Sequence, residues 1–340
     1  MLKLLGAIYG KAADLRNRLY DRGTFKSREM GVPVISIGNI TAGGTGKTPL
    51  VAFCARALSK RGEKVCVVSR GYGRENEREL VVVSDGERVL SDAARAGDEP
   101  FELANDLIGF ASVLCDADRV RGGRYAAEKL GATAIVLDDA FQHRRIVRDL
   151  DIVTVDATRP DGGGRMIPAG RLREPWHNLA RADAVVITRS DLAEDIEAVR
   201  ALVRTASPDA RIFLCRSESA DLIPIEPSDP SDPAPERPRL RYFLFSGIGN
   251  PGSLISQLEQ EKFDIAGHRS FRDHHKYSKA DLDEIEEDAN ACGAGALLTT
   301  AKDAVKLPAR QHALPCYIVK SRLVFDDEPA FLEFLREPFN

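Results

Sequence analysis

Cysteine pairs, long apolar runs and a dominant charge are all missing from this sequence of 340 residues, and each absence excludes a class of protein. The six cysteines (Cys54, Cys66, Cys115, Cys215, Cys292 and Cys316) are scattered and form no C-x-x-C pair. Neither a structural zinc site nor a disulfide framework is supported, and a reducing cytosol fits best. No stretch approaches the ~18–20 apolar residues of a membrane span. The short apolar run at the N-terminus is followed by charges rather than by a small-residue cleavage site, which is not a signal-peptide layout. A formal charge of −4 gives no global signature of nucleic-acid binding, and no internal repeat is evident. With 43% hydrophobic and 29% charged residues, the composition is that of a globular protein of one large domain or two ordinary ones.

Alternating strands and helices dominate the pattern. Val32–Gly38 reads as a buried strand, followed by a helix from about Lys47 to Arg61. Apolar runs return at Val65–Ser69, Ala111–Leu114, Ala134–Leu137, Ile152–Val155, Ala184–Thr188 and Arg211–Leu214, with helical stretches such as Arg119–Leu130 and Ala193–Thr205 between them. This predicts an α/β fold, a mostly parallel sheet covered by helices on both faces. Six prolines between Asp221 and Arg239 mark an extended linker. A second, smaller α/β set begins at Arg241 and runs through helices near Gly252–Glu261 and Lys279–Ala291 and strands near Lys262–Ala266, Ala296–Thr300 and Cys316–Val319. The expected organisation is an N-terminal helix in 1–28, a nucleotide-binding lobe in 29–222, a linker in 223–239 and a smaller lobe in 240–340, with a cleft between the lobes. In the N-terminal helix, Leu5, Ile8, Ala12, Leu15 and Leu19 share one face of a locally basic segment. That face suits either an anionic membrane surface or the core of the domain.

The chemistry starts at Thr41, Ala42, Gly43, Gly44, Thr45, Gly46, Lys47 and Thr48. Glycines here expose backbone N–H groups to phosphate, and the following helix presents its positive end. Lys47 would neutralise the β- and γ-phosphates of a nucleoside triphosphate such as ATP, and the Thr48 hydroxyl would reach Mg2+. The strict pattern opens with glycine where this chain has Thr41. A strand ending in Asp138 and Asp139 supplies carboxylates for the metal, or else solvated turn residues. Asp98, in Gly97-Asp-Glu-Pro100, is either a helix cap or the carboxylate that takes a proton from an acceptor hydroxyl. His274 and His275 could tune such a base, although a histidine pair without metal spacing is more often structural. The Gly-rich loop from Asp161 to Glu174 carries arginines, among them Arg173, whose forks suit phosphate, or which pair with Glu174 in solvent. Thr188-Arg-Ser-Asp191 is a weak echo of the GTPase base-reading tetrad.

In order along the chain these segments resemble tetraacyldisaccharide 4'-kinase, the lipid A kinase family. The resemblance rests on Ser36–Pro49, Ser69–Gly73, Gly97–Pro100, Asp138–His143, Arg148-Asp149, Pro168–Pro175, Ile187–Arg189, Asp273-His274 and Thr299–Leu307, nearly the whole chain. It implies ATP-dependent phosphorylation of the 4'-hydroxyl of an acylated glucosamine disaccharide 1-phosphate lipid, at the cytoplasmic face of the inner membrane. It further implies Asp98 as general base with His274 as its partner, Lys47 and Thr48 on phosphate and magnesium, Asp138 and Asp139 on the metal, and Arg173 on phosphate. No obligate protein partner and no nucleic acid are expected. The chain departs from the family at Ala140-Phe141, where Gly-Leu is usual, and at Arg171, where Pro is common. The rival expectation is a P-loop GTPase acting as a metallochaperone or regulatory switch.

Overall fold

The computed structural model describes residues 1–225, 240–272, 275–308 and 312–340. They form two compact units, Met1–Arg216 with Leu323–Asn340, and Ser217–Arg322.

The first unit opens with α1 (Leu2–Asp21) and β1 (Val34–Asn39), and α2 (Lys47–Lys60) leads to β2 (Val65–Ser69) and β3 (Val81–Ser84). Two adjacent helices, α3 (Ala93–Ala96) and α4 (Asp98–Asp106), precede β4 (Ala111–Cys115), and α5 (Arg119–Glu128) leads to β5 (Ala134–Asp138). Then come β6 (Leu150–Asp156), β7 (Ala184–Thr188), α6 (Ile196–Ala206) and β8 (Arg211–Pro224). Within this unit the strand order is β8-β7-β6-β1-β5-β2-β4-β3. All pairs are parallel except β3 with β4. Every residue of β1, β2, β5, β6 and β7 is buried. That is why they read as unbroken apolar runs rather than alternating ones.

Helix α2 shows how sequence and packing agree. Gly46 precedes it with φ of 80°, a left-handed turn that glycine adopts without penalty. Leu50, Cys54 and Leu58 then recur every four residues and are buried against the sheet. Each fully buried leucine or valine side chain contributes about 1.5–3 kcal/mol.

The second unit contains β9 (Arg241–Ser246), α7 (Pro251–Gln260), β10 (Asp264–Ser270), α8 (Lys279–Ala291), β11 (Ala296–Thr300), α9 (Ala301–Ala304) and β12 (Cys316–Phe325). Its strands pair in parallel in the order β10-β9-β11-β12. Phe243 and Phe245 side chains pack on α8, and Tyr242 and Leu244 pack on the opposite face near Leu258.

The sequence boundaries shift in two places. β8 extends to Pro224, so the strand runs into the expected linker, whose residues 226–239 lie outside those described. Residues 323–340, expected with the second lobe, belong to the first unit, where α10 (Glu328–Arg336) closes the core. The cause is aromatic packing: Phe331 is fully buried, stacks on Phe325 at 4.3 Å and meets Phe213 at 5.1 Å and Phe53 at 5.9 Å.

α1 docks by a different face from the apolar one. Gly6, Gly10, Ala13 and Asn17 are its buried residues, a stripe at helical spacing. A Cβ at Gly6 would lie 3.0 Å from the Met166 carbonyl oxygen, so the glycine permits the close approach. Leu5, Ile8 and Leu15 are left exposed.

Phe331→Ala should lower unfolding stability by about 3–5 kcal/mol, the usual range for truncating a buried phenylalanine. Urea denaturation measures it, and a loss below about 1 kcal/mol would mean that α10 does not complete this core.

Candidate functional site

The carboxyl ends of β1, β2, β5, β6 and β7 converge, the position where open parallel sheets hold ligands. The loop after β1 carries Thr41 to Thr48. Its backbone is fixed from three sides. Asn39 Nδ2 donates to Thr45 Oγ1 at 2.9 Å, and that hydroxyl is 2.7 Å from Thr154 Oγ1 at the end of β6. Thr188 Oγ1, at the end of β7, donates to the Thr45 carbonyl at 3.0 Å. Ala42 N donates to the Arg171 carbonyl at 2.7 Å, and Arg173 N to the Ile40 carbonyl at 2.9 Å. The two Gly-rich loops are thus laced together before any ligand is considered.

Thr188-Arg-Ser-Asp191 therefore has a use different from base reading. Arg189, at φ of 54°, donates to the Gly44 carbonyl at 3.0 Å and pairs with Asp156. Thr188 and Arg189 brace the phosphate loop.

Lys47, Asp139 and Arg173 meet at the end of β5. Arg173 Nη1 reaches both Asp139 oxygens, at 2.7 and 2.8 Å, and Lys47 Nζ is 3.6 Å from Asp139 Oδ1. Burial pushes the Asp139 carboxyl up, but Lys47 and Arg173 together outweigh it and bring it down to about 2. Asp138 has the opposite fate. Burial, then the charges of Glu99 and Asp139, raise it to about 6, against a hydrogen bond from Ser69 Oγ of 2.8 Å. Two neighbouring acids with such different settings are usual at functional sites.

Asp98 is the first residue of α4, entered through Gly97 at φ of 91°. A Cβ on Gly97 would lie 3.1 Å from the Tyr72 carbonyl oxygen, and one on Gly71 2.7 Å from that of Ala96. The Arg70–Gly73 turn after β2 and the start of α4 therefore touch, and Glu99 acts on Asp138. Thr48 is the second residue of α2, directly after Lys47. His274 lies outside the described residues. His275 is stacked on Phe271 at 4.5 Å, with Nε2 3.2 Å from Asp281, whose side chain completes the cap of α8.

Several participants were not legible as such in the sequence. Buried Arg119 donates to the carbonyls of Asp116 and Asp138, at 3.2 and 3.3 Å, and helps hold Asp139 ionised. Its only signal was a place at the start of a predicted helix. Glu174 does not pair with Arg173. It is fully buried and accepts from Arg16, Asn17 and Arg181 at 2.8, 2.7 and 2.8 Å. The Phe141 departure is accommodated by contacts: the ring is buried under the Arg181 guanidinium at 4.2 Å. A Cβ at Gly38 would come within 2.6 Å of the Phe141 nitrogen and Cβ, so that glycine makes room for this segment.

The family profile Tetraacyldisaccharide-1-P 4'-kinase matches residues 1–340. A tetraacyldisaccharide 4'-kinase of Anaeromyxobacter dehalogenans (strain 2CP-C) is 42% identical over 309 residues, 90% of this chain and 80% of the relative. One from Geobacter metallireducens is 41% identical over 307 residues, 90% of this chain and 88% of the relative. A crystal structure of LpxK from Aquifex aeolicus in complex with ATP superposes with a TM-score of 0.76 at 30% identity, covering 99% of this chain and 98% of that one.

A pH prediction follows from Asp138. Its folded value of about 6 exceeds its ordinary 3.8, so the native state binds the proton more tightly than the unfolded one. Stability of the magnesium-free protein should fall as pH rises from about 4 to about 6. Asp138→Asn should make that slope shallower in urea midpoints taken across the window; an unchanged slope would mean that Asp138 is not held protonated.

Proposed function

This chain belongs to the tetraacyldisaccharide-1-P 4'-kinase family, and on that premise we propose which of its residues carry out the transfer. The enzyme moves the γ-phosphoryl group of ATP to the 4'-hydroxyl of a tetraacylated disaccharide 1-phosphate, giving lipid IV-A in lipid A biosynthesis. The relatives are kinases, and the switch-GTPase alternative is not favoured.

The reading is carried by one observation: Lys47 and Arg173 converge on Asp139 beside the glycine turn. Thr41 to Thr48 wrap the phosphates of ATP with backbone N–H groups. Lys47 neutralises the β- and γ-phosphates, and Arg173 steadies the transferred group. Thr48, Asp138 and Asp139 hold magnesium, which when bound neutralises phosphate charge and orients it. Asp98 accepts the proton of the sugar hydroxyl as its oxygen bonds to phosphorus and the bond to ADP breaks, with His274 as its partner. Positioning and charge neutralisation supply most of the acceleration.

The protein works peripherally at the cytoplasmic face of the inner membrane, without an obligate protein partner. No helix among the described residues is long and apolar enough to cross a membrane. Exposed Leu5, Ile8 and Leu15, flanked by Lys3, Lys11 and Arg18, support α1 lying in the lipid surface.

Incubating the protein with γ-labelled ATP and the disaccharide 1-phosphate lipid in detergent should yield labelled lipid, and absence of transfer would sink the assignment. Asp98→Ala should lower kcat by about 10²–10⁴ with little change in KM for ATP. Turnover near wild type would remove Asp98 from the role of base. Leu5→Asn with Ile8→Asn should weaken partition onto vesicles at least about tenfold, whereas unchanged partition would place the lipid contact elsewhere.

A further inference from the structure

A second feature lies along α5. An open hollow of about 510 Å³ is lined by Arg28, Arg121, Arg124, Lys129 and Arg145 against only Asp118 and Glu128. Some of that charge is already committed. Arg121 grips buried Asp116 with two hydrogen bonds, of 2.6 and 2.8 Å, and Arg145 is 3.6 Å from Asp118. Arg28, Arg124 and Lys129 have no carboxylate partner among the described residues, and all three are exposed. Tyr125 and Val120 also line the wall. Folding gains nothing from gathering three unpaired cations in one concavity, since like charges repel there. An anionic ligand would remove that penalty.

The position of the hollow says which anion. Arg28 pairs with Ile146 in a short parallel bridge, and its N–H donates to the Arg145 carbonyl at 2.8 Å. One residue earlier, Arg144 is tied to the end of α1, by 3.0 Å to the Asn17 carbonyl and 2.8 Å to Asp21. The rim is therefore continuous through backbone and ion pairs with the C-terminal end of α1. Phe25, edge-on to Tyr20, and Val147, whose N–H donates to the Arg28 carbonyl at 3.0 Å, are exposed apolar side chains on the two segments between the helix and the hollow. An apolar strip beside a basic concavity is the arrangement that takes a phosphate headgroup with its acyl chains. A free phosphate would use the cations but leave Phe25 and Val147 without a role.

We propose that the α5 hollow is a headgroup site for an anionic phospholipid of the membrane surface, separate from the substrate site and engaged when α1 lies in the bilayer. This rests on the membrane reading of α1. Its physical consequence is orientation: a helix alone leaves the protein free to roll about the helix axis, and a second contact beside its end fixes which face meets the lipid.

The test is co-sedimentation of the full chain with vesicles of phosphatidylcholine alone and of phosphatidylcholine with phosphatidylglycerol. Wild type should bind the anionic vesicles more tightly. Arg124→Gln with Lys129→Gln should weaken binding to anionic vesicles roughly 30-fold, at about fivefold per charge, and leave binding to neutral vesicles as it was. Lys60→Gln with Arg204→Gln, which removes two exposed cations elsewhere, should do far less. Equal losses in the two double variants, or none in the first, would overturn the site and leave the α1 reading standing. Displacement of wild type from anionic vesicles by millimolar glycerol phosphate, at matched ionic strength, would overturn the lipid as ligand in favour of a soluble anion. The Leu5→Asn with Ile8→Asn protein separates the two readings. If it binds neutral vesicles like wild type, the α1 reading fails, while loss of the anionic preference on Arg124→Gln with Lys129→Gln still reports on the hollow.

Discussion

Two carboxylates side by side at the end of a buried strand cannot share one electrostatic environment, and the transfer site is arranged around that constraint. Asp139, gripped by Arg173 and faced by Lys47, is held ionised; Asp138, deeper and next to Ser69, is pushed toward its neutral form. The cations that settle Asp139 come from the phosphate loop and from the loop ending in Arg173, so the pair requires both loops to be in register. The Ala42–Arg171 and Ile40–Arg173 backbone bonds supply that register. A divalent cation held by these carboxylates would relieve the repulsion that burial amplifies.

The same loop connects this chemistry with α1. Arg173 turns toward Asp139, while its neighbour Glu174 turns away and is buried among Arg16, Asn17 and Arg181. A buried carboxylate needs such partners, because losing one leaves an uncompensated charge in a dry place. Consecutive residues thus reach in opposite directions, Glu174 to α1 and Arg173 to Asp139.

What the sequence revealed follows from range. β1, β5 and β6 are legible because central parallel strands are apolar on both faces. The phosphate loop is legible despite Thr41 because a strand, a glycine turn and Lys47-Thr48 are contiguous. Asp138 and Asp139 announce themselves by adjacency. Glu174 does not, since its partner Arg16 lies 158 residues away and the nearest cation in sequence, Arg173, is the wrong one. α1 left two readings open for another reason: its leucines mark an exposed face, and the docking face is written in glycine and alanine, which carry little hydrophobic signal. α10 escaped because its few aromatic residues gain meaning only beside Phe53 and Phe213. Arg119 carries no local pattern that separates a buried site guanidinium from a surface one.

Calorimetric titration of magnesium into the protein loaded with a non-hydrolysable ATP analogue tests most directly whether the carboxylate pair holds the metal. Asp138→Asn and Asp139→Asn should each weaken magnesium binding by about tenfold or more, the scale at which losing one charged ligand or its close support is felt. Wild-type affinity in both variants would contradict the account, because the constraint around which the site is arranged would then have no ligand to relieve it.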